Sequence, residues 1–230
     1  MTRFNIFALI GLLSLSLAAC APKCLTKCEA FPKMYSERPL AILILPPINE
    51  TTAADAREYY ATTIAEPVSL YGYYVYPLEV VFDILKDEGV YDTESLIRAP
   101  PQKFRDYFGA DAVMYIWIKR WDTTYVVVAA SLTVSVRCVL KSTSSGETLW
   151  EYEGTVVEDT TVRVSGGGLV GLAVQAVATA IQTAMTDYVP VAKRVNYVVL
   201  TSMPYGKYHA DYDKDRDSKT VQQKAIRPSK

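Results

Sequence analysis

Leu40-Ala41-Ile42-Leu43-Ile44-Leu45 is an unbroken apolar run closed by Pro46-Pro47. A short run without alternation is the pattern of a strand covered on both faces, as in parallel sheets flanked by helices. The sequence downstream agrees. Thr52 with Asp55 offers a capping-box-like helix start, and Ala56, Tyr59, Tyr60, Thr63 and Ile64 share one helical face. Tyr73 to Tyr76 reads as a short second strand. Pro77 opens the next helix at its first turn, Leu78, Val81, Phe82 and Leu85 form its buried stripe, and Gly89 follows its end. Pro100-Pro101 start a third helix that runs through Tyr107 and closes at Gly109. Ala112 to Ile118, apolar throughout, is a third strand. Strand, helix, strand, helices, strand implies parallel neighbours joined by right-handed crossovers.

The pattern then changes. Tyr125 to Leu140 and Glu147 to Val164 are long β-rich runs joined by the turn cluster Ser142-Thr143-Ser144-Ser145-Gly146. In the first run Leu132, Val134, Val136 and Cys138 alternate with Thr133, Ser135 and Arg137, which predicts a hairpin with one wet face. Both runs exceed the usual strand length, so the hairpin is expected to project, with its tip, Ser142 to Gly146, as the self-association element. Leu169 to Val189 is long and apolar, but Gln175, Thr179, Gln182 or Thr183, and Thr186 recur at helical spacing, which predicts an amphipathic helix packed on the sheet rather than a membrane span. Pro190 is expected to end it, and Val195 to Leu200 to be a last extended segment. The expected fold class is α/β: a three-layer-like mixed sheet with a parallel βαβ start, then a long antiparallel hairpin and a C-terminal helix.

The N-terminus reads as a targeting signal. Arg3 precedes a mostly apolar stretch, Asn5 to Leu17, too short for a comfortable span. Leu17-Ala18-Ala19-Cys20 then matches a bacterial lipobox, with small residues before a thiol that takes diacylglycerol. Cleavage falls between Ala19 and Cys20, leaving Cys20 as the acylated first residue of the mature chain. Several acyl chains are what stable anchoring needs, since one binds marginally. Ala21, rather than Asp, follows the lipidated cysteine, which favours the outer membrane with the domain facing the periplasm. The expected organisation is a signal peptide over 1–19, a lipidated tether over 20–38, one α/β domain over 39–205, and a polar, disordered tail over 206–230.

Composition narrows the chemistry. With 24 basic and 25 acidic residues the charge is balanced, and nothing points to nucleic acid. Tyrosines cluster at Tyr71, Tyr73, Tyr74 and Tyr76, residues suited to a half-buried edge. A disulfide between Cys24 and Cys28 is open to this chain, as is one from either to Cys138, because the periplasm is oxidising. Cys20, Cys24 and Cys28 are evenly spaced, but one is acylated and a linker cannot preorganise a metal shell, so no metal site is expected. Gly166, Gly168 and Gly171 fit G-x-G-x-x-G, yet they follow a hairpin late in the chain and Asp187 lies at a helix end, so the match is read as accidental. His209, the only histidine, sits near the start of the polar tail where nothing prepares it for a triad. No cofactor and no catalytic residue are expected.

The chain resembles the outer-membrane lipoprotein family typified by a genome-derived neisserial antigen. The resemblance rests on the lipobox, Leu43-Ile44-Leu45-Pro46-Pro47-Ile48-Asn49, Gly109-Ala110-Asp111-Ala112-Val113, Ala192-Lys193-Arg194-Val195-Asn196 and Met203-Pro204-Tyr205-Gly206-Lys207-Tyr208-His209. The order of elements is also similar to the TolB N-terminal domain, the curli secretion lipoprotein, the Pel-export lipoprotein and lipoprotein activators of penicillin-binding proteins. These resemblances imply a non-catalytic, oligomeric accessory of envelope assembly, transport or secretion, held to the membrane by its lipid, with an unidentified envelope partner. The alternative they imply is an adaptor that regulates a periplasmic cell-wall enzyme. A tether of fewer than about twenty residues reaches about 65 Å at most, which disfavours that alternative.

Overall fold

The structure, a computed structural model, describes residues 24–126, 129–162 and 187–221, with positions 172, 175, 176, 178–180 and 182 between them. The signal peptide, the lipobox, Ala19, Cys20 and the glycine motif at Gly166, Gly168 and Gly171 lie outside the described residues.

Strand β1 (Cys24–Thr26) comes first, followed by helices α1 (Lys27–Ala30) and α2 (Pro32–Glu37). The expected tether over 20–38 is therefore corrected. Thr26 and Glu29 form a reciprocal capping box on α1, and Pro32 opens α2. Ala30, Phe31 and Met34 enter the main core, so this segment buries enough to fold.

The apolar run gives β2 (Ala41–Ile44), and a short β3 (Ile48–Asn49) follows the two prolines. Asn49 then shapes the entry to helix α3 (Ala56–Leu70): its Oδ1 accepts from Thr51 N at 2.9 Å and its Nδ2 donates to Ala53 O at 2.6 Å. The N-cap is Asp55, with no side-chain cap bond, so the Thr52/Asp55 box is replaced by this Asn49 turn. Next come β4 (Tyr74–Val75), α4 (Leu78–Asp87), α5 (Glu94–Ile97) and α6 (Gln102–Phe108), the last closed by Gly109.

Three long strands then form a meander: β5 (Ala112–Val126), β6 (Ala129–Ser142) and β7 (Thr148–Asp159). The run from Tyr125 to Leu140 is two strands, not one, because Val126 pairs back onto Ala129. Helix α7 (Tyr188–Leu200) and β8 (Lys219–Val221) complete the chain. The expectation that Pro190 ends a helix and that Val195 to Leu200 is extended is reversed. Asp187 caps α7 through Val189 N, and Pro190 sits in its first turn, where a missing N–H costs nothing. Val191, Ala192, Val195, Asn196, Val199 and Leu200 are buried at helical spacing. The described positions between 172 and 182 are helical, as Leu169 to Val189 predicts.

The main sheet runs β4-β2-β5-β6-β7, with β3 added beside β5. Pairs β2–β4, β2–β5 and β3–β5 are parallel, and β5–β6 and β6–β7 antiparallel. Alternation along β5 divides the core. Ala112, Met114, Ile116 and Ile118 face α3 and α7, whereas Val113 and Tyr115 join Leu43 and Leu45 under α4, α5 and α6. A bulge between Ile118 and Arg120 shifts the parity, so Trp121 returns to the first face. The result is the three-layer mixed α/β domain the sequence implied. The second face of β6 is less wet than expected, since Thr133 and Ser135 are also buried.

Three of the sequence motifs have structural work. Asp111 Oδ2 accepts from Leu40 N and Ala41 N, both at 3.0 Å, which aligns the starts of β2 and β5. Asn196 accepts from Tyr60 Oη and donates to Thr63 O at 3.1 Å and Thr63 Oγ1 at 2.9 Å, fixing α7 to α3. The segment from Met203 to His209 packs on the turn before β4. The polar tail expected from 206 onward is ordered through Val221, because β8 pairs with β1 and Asp215 is buried beneath them.

Candidate functional site

Residues from opposite ends of the chain close a buried clasp. Lys27 Nζ lies 3.2 Å from Asp215 Oδ2, with the two side chains 7% and 4% exposed. Nζ also donates to Met203 O at 2.7 Å and stands 4.8 Å from the centroid of the Tyr205 ring. Asp215 accepts in addition from Tyr35 Oη at 3.1 Å and Tyr205 N at 3.0 Å. Burial pushes the Lys27 pKa below 10.5, although the attraction of Asp215 opposes it, and burial with Asp215 nearby pushes the Tyr35 phenol up. These contacts tie residues 27 and 35 to residues 203–215, so the clasp reads as structure.

His209 is equally committed. Its ring stacks on Tyr205 at 3.7 Å, and its Nδ1 accepts from Asp211 N at 3.0 Å. Cys138 is buried beside Tyr60, and burial pushes its thiol up to about 12. Cys28 is a half-buried free thiol whose Sγ is 4.0 Å from Arg216 Nη1; the side chain of Cys24 lies outside the described residues. Alkylation of the native protein at pH 8 followed by mass spectrometry should label Cys28 at least about a hundredfold faster than Cys138, because thiolate does the reacting and Cys138 is both neutral and inaccessible. Equal rates would contradict the placement of Cys138.

The expected self-association tip is docked on its own domain. Ser142 and Thr143 are buried, Thr143 Oγ1 donates to Asp111 O at 2.8 Å, and Ser145 Oγ donates to Glu37 Oε1 at 2.8 Å. The opposite end of the β5–β6 ladder is the pair Val126 and Ala129.

An open cleft lies elsewhere. From β2 the chain crosses through α3 to β4 on one side, then through α4, α5 and α6 to β5 on the other, which makes β2 the switch strand of the parallel part. Such sheets bind ligands beyond the strand ends at that point. Beyond the end of β2 a cleft of about 260 Å³ is lined by Pro46, Arg57, Glu58, Lys86, Asp92 and Thr93, among others. The Thr93 hydroxyl is buried there with no hydrogen-bond partner among the described residues. Hydrogen bonding with Glu94 and from the Ser95 backbone, with Arg57 nearby, lowers the Asp92 carboxyl. Two cations thus face two carboxylates, a balance that suits mixed polar contacts better than one strongly charged ligand.

The cleft continues into an apolar groove of about 280 Å³ between α4, α5 and α6, sharing Leu85, Val90 and Leu96 and adding Ile84, Phe104, Tyr107 and Phe108. Large apolar side chains of the same helices are in water: Ile84 at 42% and Tyr107 at 76% exposure line the groove, and Val80 at 54% and Ile97 at 39% lie on α4 and α5. Larger exposed apolar patches on a soluble domain are typical of contact sites. The stripe Leu78, Val81, Phe82 and Leu85 leaves Val80 and Ile84, one and two turns after Pro77, pointing outward. That no described element covers them depends on the tertiary fold and is not legible in the helix itself.

The fold defines a mixed α/β domain with an open cleft and groove. The chain belongs to the GNA1162-like lipoprotein family: the family model "Putative lipoprotein GNA1162-like" matches residues 30–207. It is 32% identical over 150 residues to the lipoprotein NMB1124/NMB1162 of Neisseria meningitidis serogroup B, covering 65% of this chain and 69% of that protein. The crystal structure of lipoprotein GNA1162 from Neisseria meningitidis superposes with a TM-score of 0.51 at 32% identity, covering 62% of this chain and 98% of that one. A PelC dodecamer structure from Paraburkholderia phytofirmans matches with a TM-score of 0.45 at 16% identity, over 72% of this chain and 89% of that one. Among the described residues, no helix is long and apolar enough to cross a membrane, and no three His, Cys, Asp or Glu side chains are grouped to hold a metal ion.

Proposed function

We propose that this chain is a non-catalytic accessory of an envelope assembly, transport or secretion system, acylated on Cys20, anchored in the outer membrane and self-associating through its α4–α6 face. The observation that carries this reading is the apolar groove lined by Ile84 and Tyr107, with Val80 and Ile97 exposed on α4 and α5. The anchor favours a second copy as the occupant. Only Ala21, Pro22 and Lys23 separate Cys20 from β1, so all copies hold this face at the same height above the bilayer and at high local concentration. The same short link, about 14 Å at full extension from Cys20 to Cys24, weakens the reading as a regulator that reaches a cell-wall enzyme far across the periplasm.

Light scattering on the chain from Ala21 onward, over a concentration series, tests the self-association. A discrete oligomer is expected, and Ile84→Glu with Tyr107→Glu should weaken it at least tenfold without changing the circular dichroism. A monomer at every concentration, both for this chain and for the acylated protein in detergent, would overturn it.

A further inference from the structure

The cleft beyond the end of β2 carries polar groups that the fold itself does not use. Thr93 lines it, 2% exposed, and its Oγ1 is buried with no hydrogen-bond partner among the described residues. Thr93 stands at the N-cap of α5, where a threonine hydroxyl ordinarily accepts from the helix backbone. Here its φ of −75° and ψ of −22° are already helical, and the side chain makes no cap bond. A buried hydroxyl without a partner costs stability, and so rare an exception calls for a physical reason. The turn that places it is well fixed. Ser95 N donates to Asp92 Oδ1 at 3.1 Å, Ser95 Oγ to Asp92 O at 2.8 Å and Leu96 N to Thr93 O at 2.9 Å.

Four charged side chains share the lining, Arg57 and Lys86 against Glu58 and Asp92. Among the described residues Arg57 and Glu58 make no ion pair, and Lys86 pairs only with Asp83, at 4.0 Å. So long a pair between exposed side chains contributes little. Phe82, Leu85 and Leu96 supply an apolar wall beside these charges. A ligand of one sign would face two like charges here. One that carries both signs on an apolar body matches the cations, the carboxylates and the wall together. The volume of about 260 Å³ lies just below the range of sites for drug-sized molecules, so the ligand is small.

From this lining we infer that the cleft binds a small zwitterion with an apolar side chain, a free amino acid or dipeptide. Its carboxylate sits on Arg57 and Lys86, its ammonium on Glu58 and Asp92, and its side chain on Phe82 and Leu85, while a polar backbone atom meets the Thr93 hydroxyl. The inference does not rest on association through the α4–α6 face, which uses the neighbouring groove.

Equilibrium dialysis of the full chain in detergent, with detergent alone as the blank, tests this with leucine, alanyl-leucine, leucyl-alanine and leucyl-leucine. At least one is expected to bind with a Kd of about 1 mM or tighter. Acetylating its amine or amidating its carboxylate should each weaken binding at least about tenfold, because each removes a charge-assisted contact. Arg57→Gln with Lys86→Gln should cost at least about tenfold while circular dichroism is unchanged. Thr93→Val should weaken binding at least about threefold without lowering the melting temperature of the ligand-free chain, since the hydroxyl it removes has no partner there. A melting temperature lower by about 3 °C or more would overturn the role of Thr93, by showing that its hydroxyl is spent within the fold. No binding by any of the four probes, or equal binding by the acetylated and amidated forms, would overturn the zwitterion site.

Discussion

Asp215→Ala is expected to destabilise the domain by about 3–5 kcal/mol, the range for removing one partner of a buried ion pair. The carboxylate is the hub of the clasp. Without it, Lys27 keeps its charge among Met203, Tyr205 and Tyr35 with only a backbone carbonyl to answer it, and Tyr35 Oη and Tyr205 N lose their acceptor. Much of the loss is the isolated ammonium. Lys27→Met together with Asp215→Leu should therefore recover most of the stability, because a well-packed apolar pair often matches a buried ion pair. Urea unfolding of the two variants beside the parent reads this, with the double variant expected within about 1.5 kcal/mol of the parent. A single variant losing less than about 1 kcal/mol would show that the clasp is hydrated and weak. The clasp also holds β1 and β8 in place.

Gly72→Ala is expected to lower the melting temperature by about 10 °C, equivalent to about 3 kcal/mol or more for a chain of this size. Gly72 has φ +88°, and a Cβ there would lie 2.3 Å from His209 N and 2.7 Å from Gly206 O. Both obstacles are backbone, so no rotamer change relieves them. Two hydrogen bonds cross the contact: Gly206 N donates to Tyr71 O at 2.8 Å and Tyr208 N to Gly72 O at 3.0 Å. The substitution must therefore break the docking of the Met203–His209 segment or distort the turn before β4. Gly89→Ala is the control. Its φ is +79°, but nothing lies within 4 Å of the added Cβ, so it should lose only the backbone term of about 1–2 kcal/mol. Scanning calorimetry separates the two. Equal losses at Gly72 and Gly89 would mean that the close approach of the two chain segments does not matter.

How far the sequence revealed this molecule depends on the range of the force involved. The parallel start was legible because burial on two faces leaves an unbroken apolar run at Leu40–Leu45, and the helices at Leu78 and Gln102 because proline and glycine punctuate them. The ends were misread because their order comes from partners far away in the chain. Nothing local in Lys27 announces Asp215, and residues 207–221 look polar and unfoldable until β1 lies against them. Pro190 was misread for a related reason: the same residue stops a helix or starts one, and Asp187 as a cap decides which. The α4–α6 face divides in the same way: the stop at Pro46-Pro47 is visible in the sequence, whereas the exposure of Ile84 and Tyr107 depends on what the other described elements leave uncovered.

The most direct measurement is photo-crosslinking in the intact envelope, with the reactive side chain placed at Tyr107 on the α4–α6 face or at Glu153 on β7. An adduct of twice the chain mass is expected from position 107 and not from position 153, and it should fade when Cys20→Ala removes the anchor that concentrates the copies. No dimer-sized adduct from position 107, or the same adduct from both positions, would contradict a lipid-anchored domain that associates through that face.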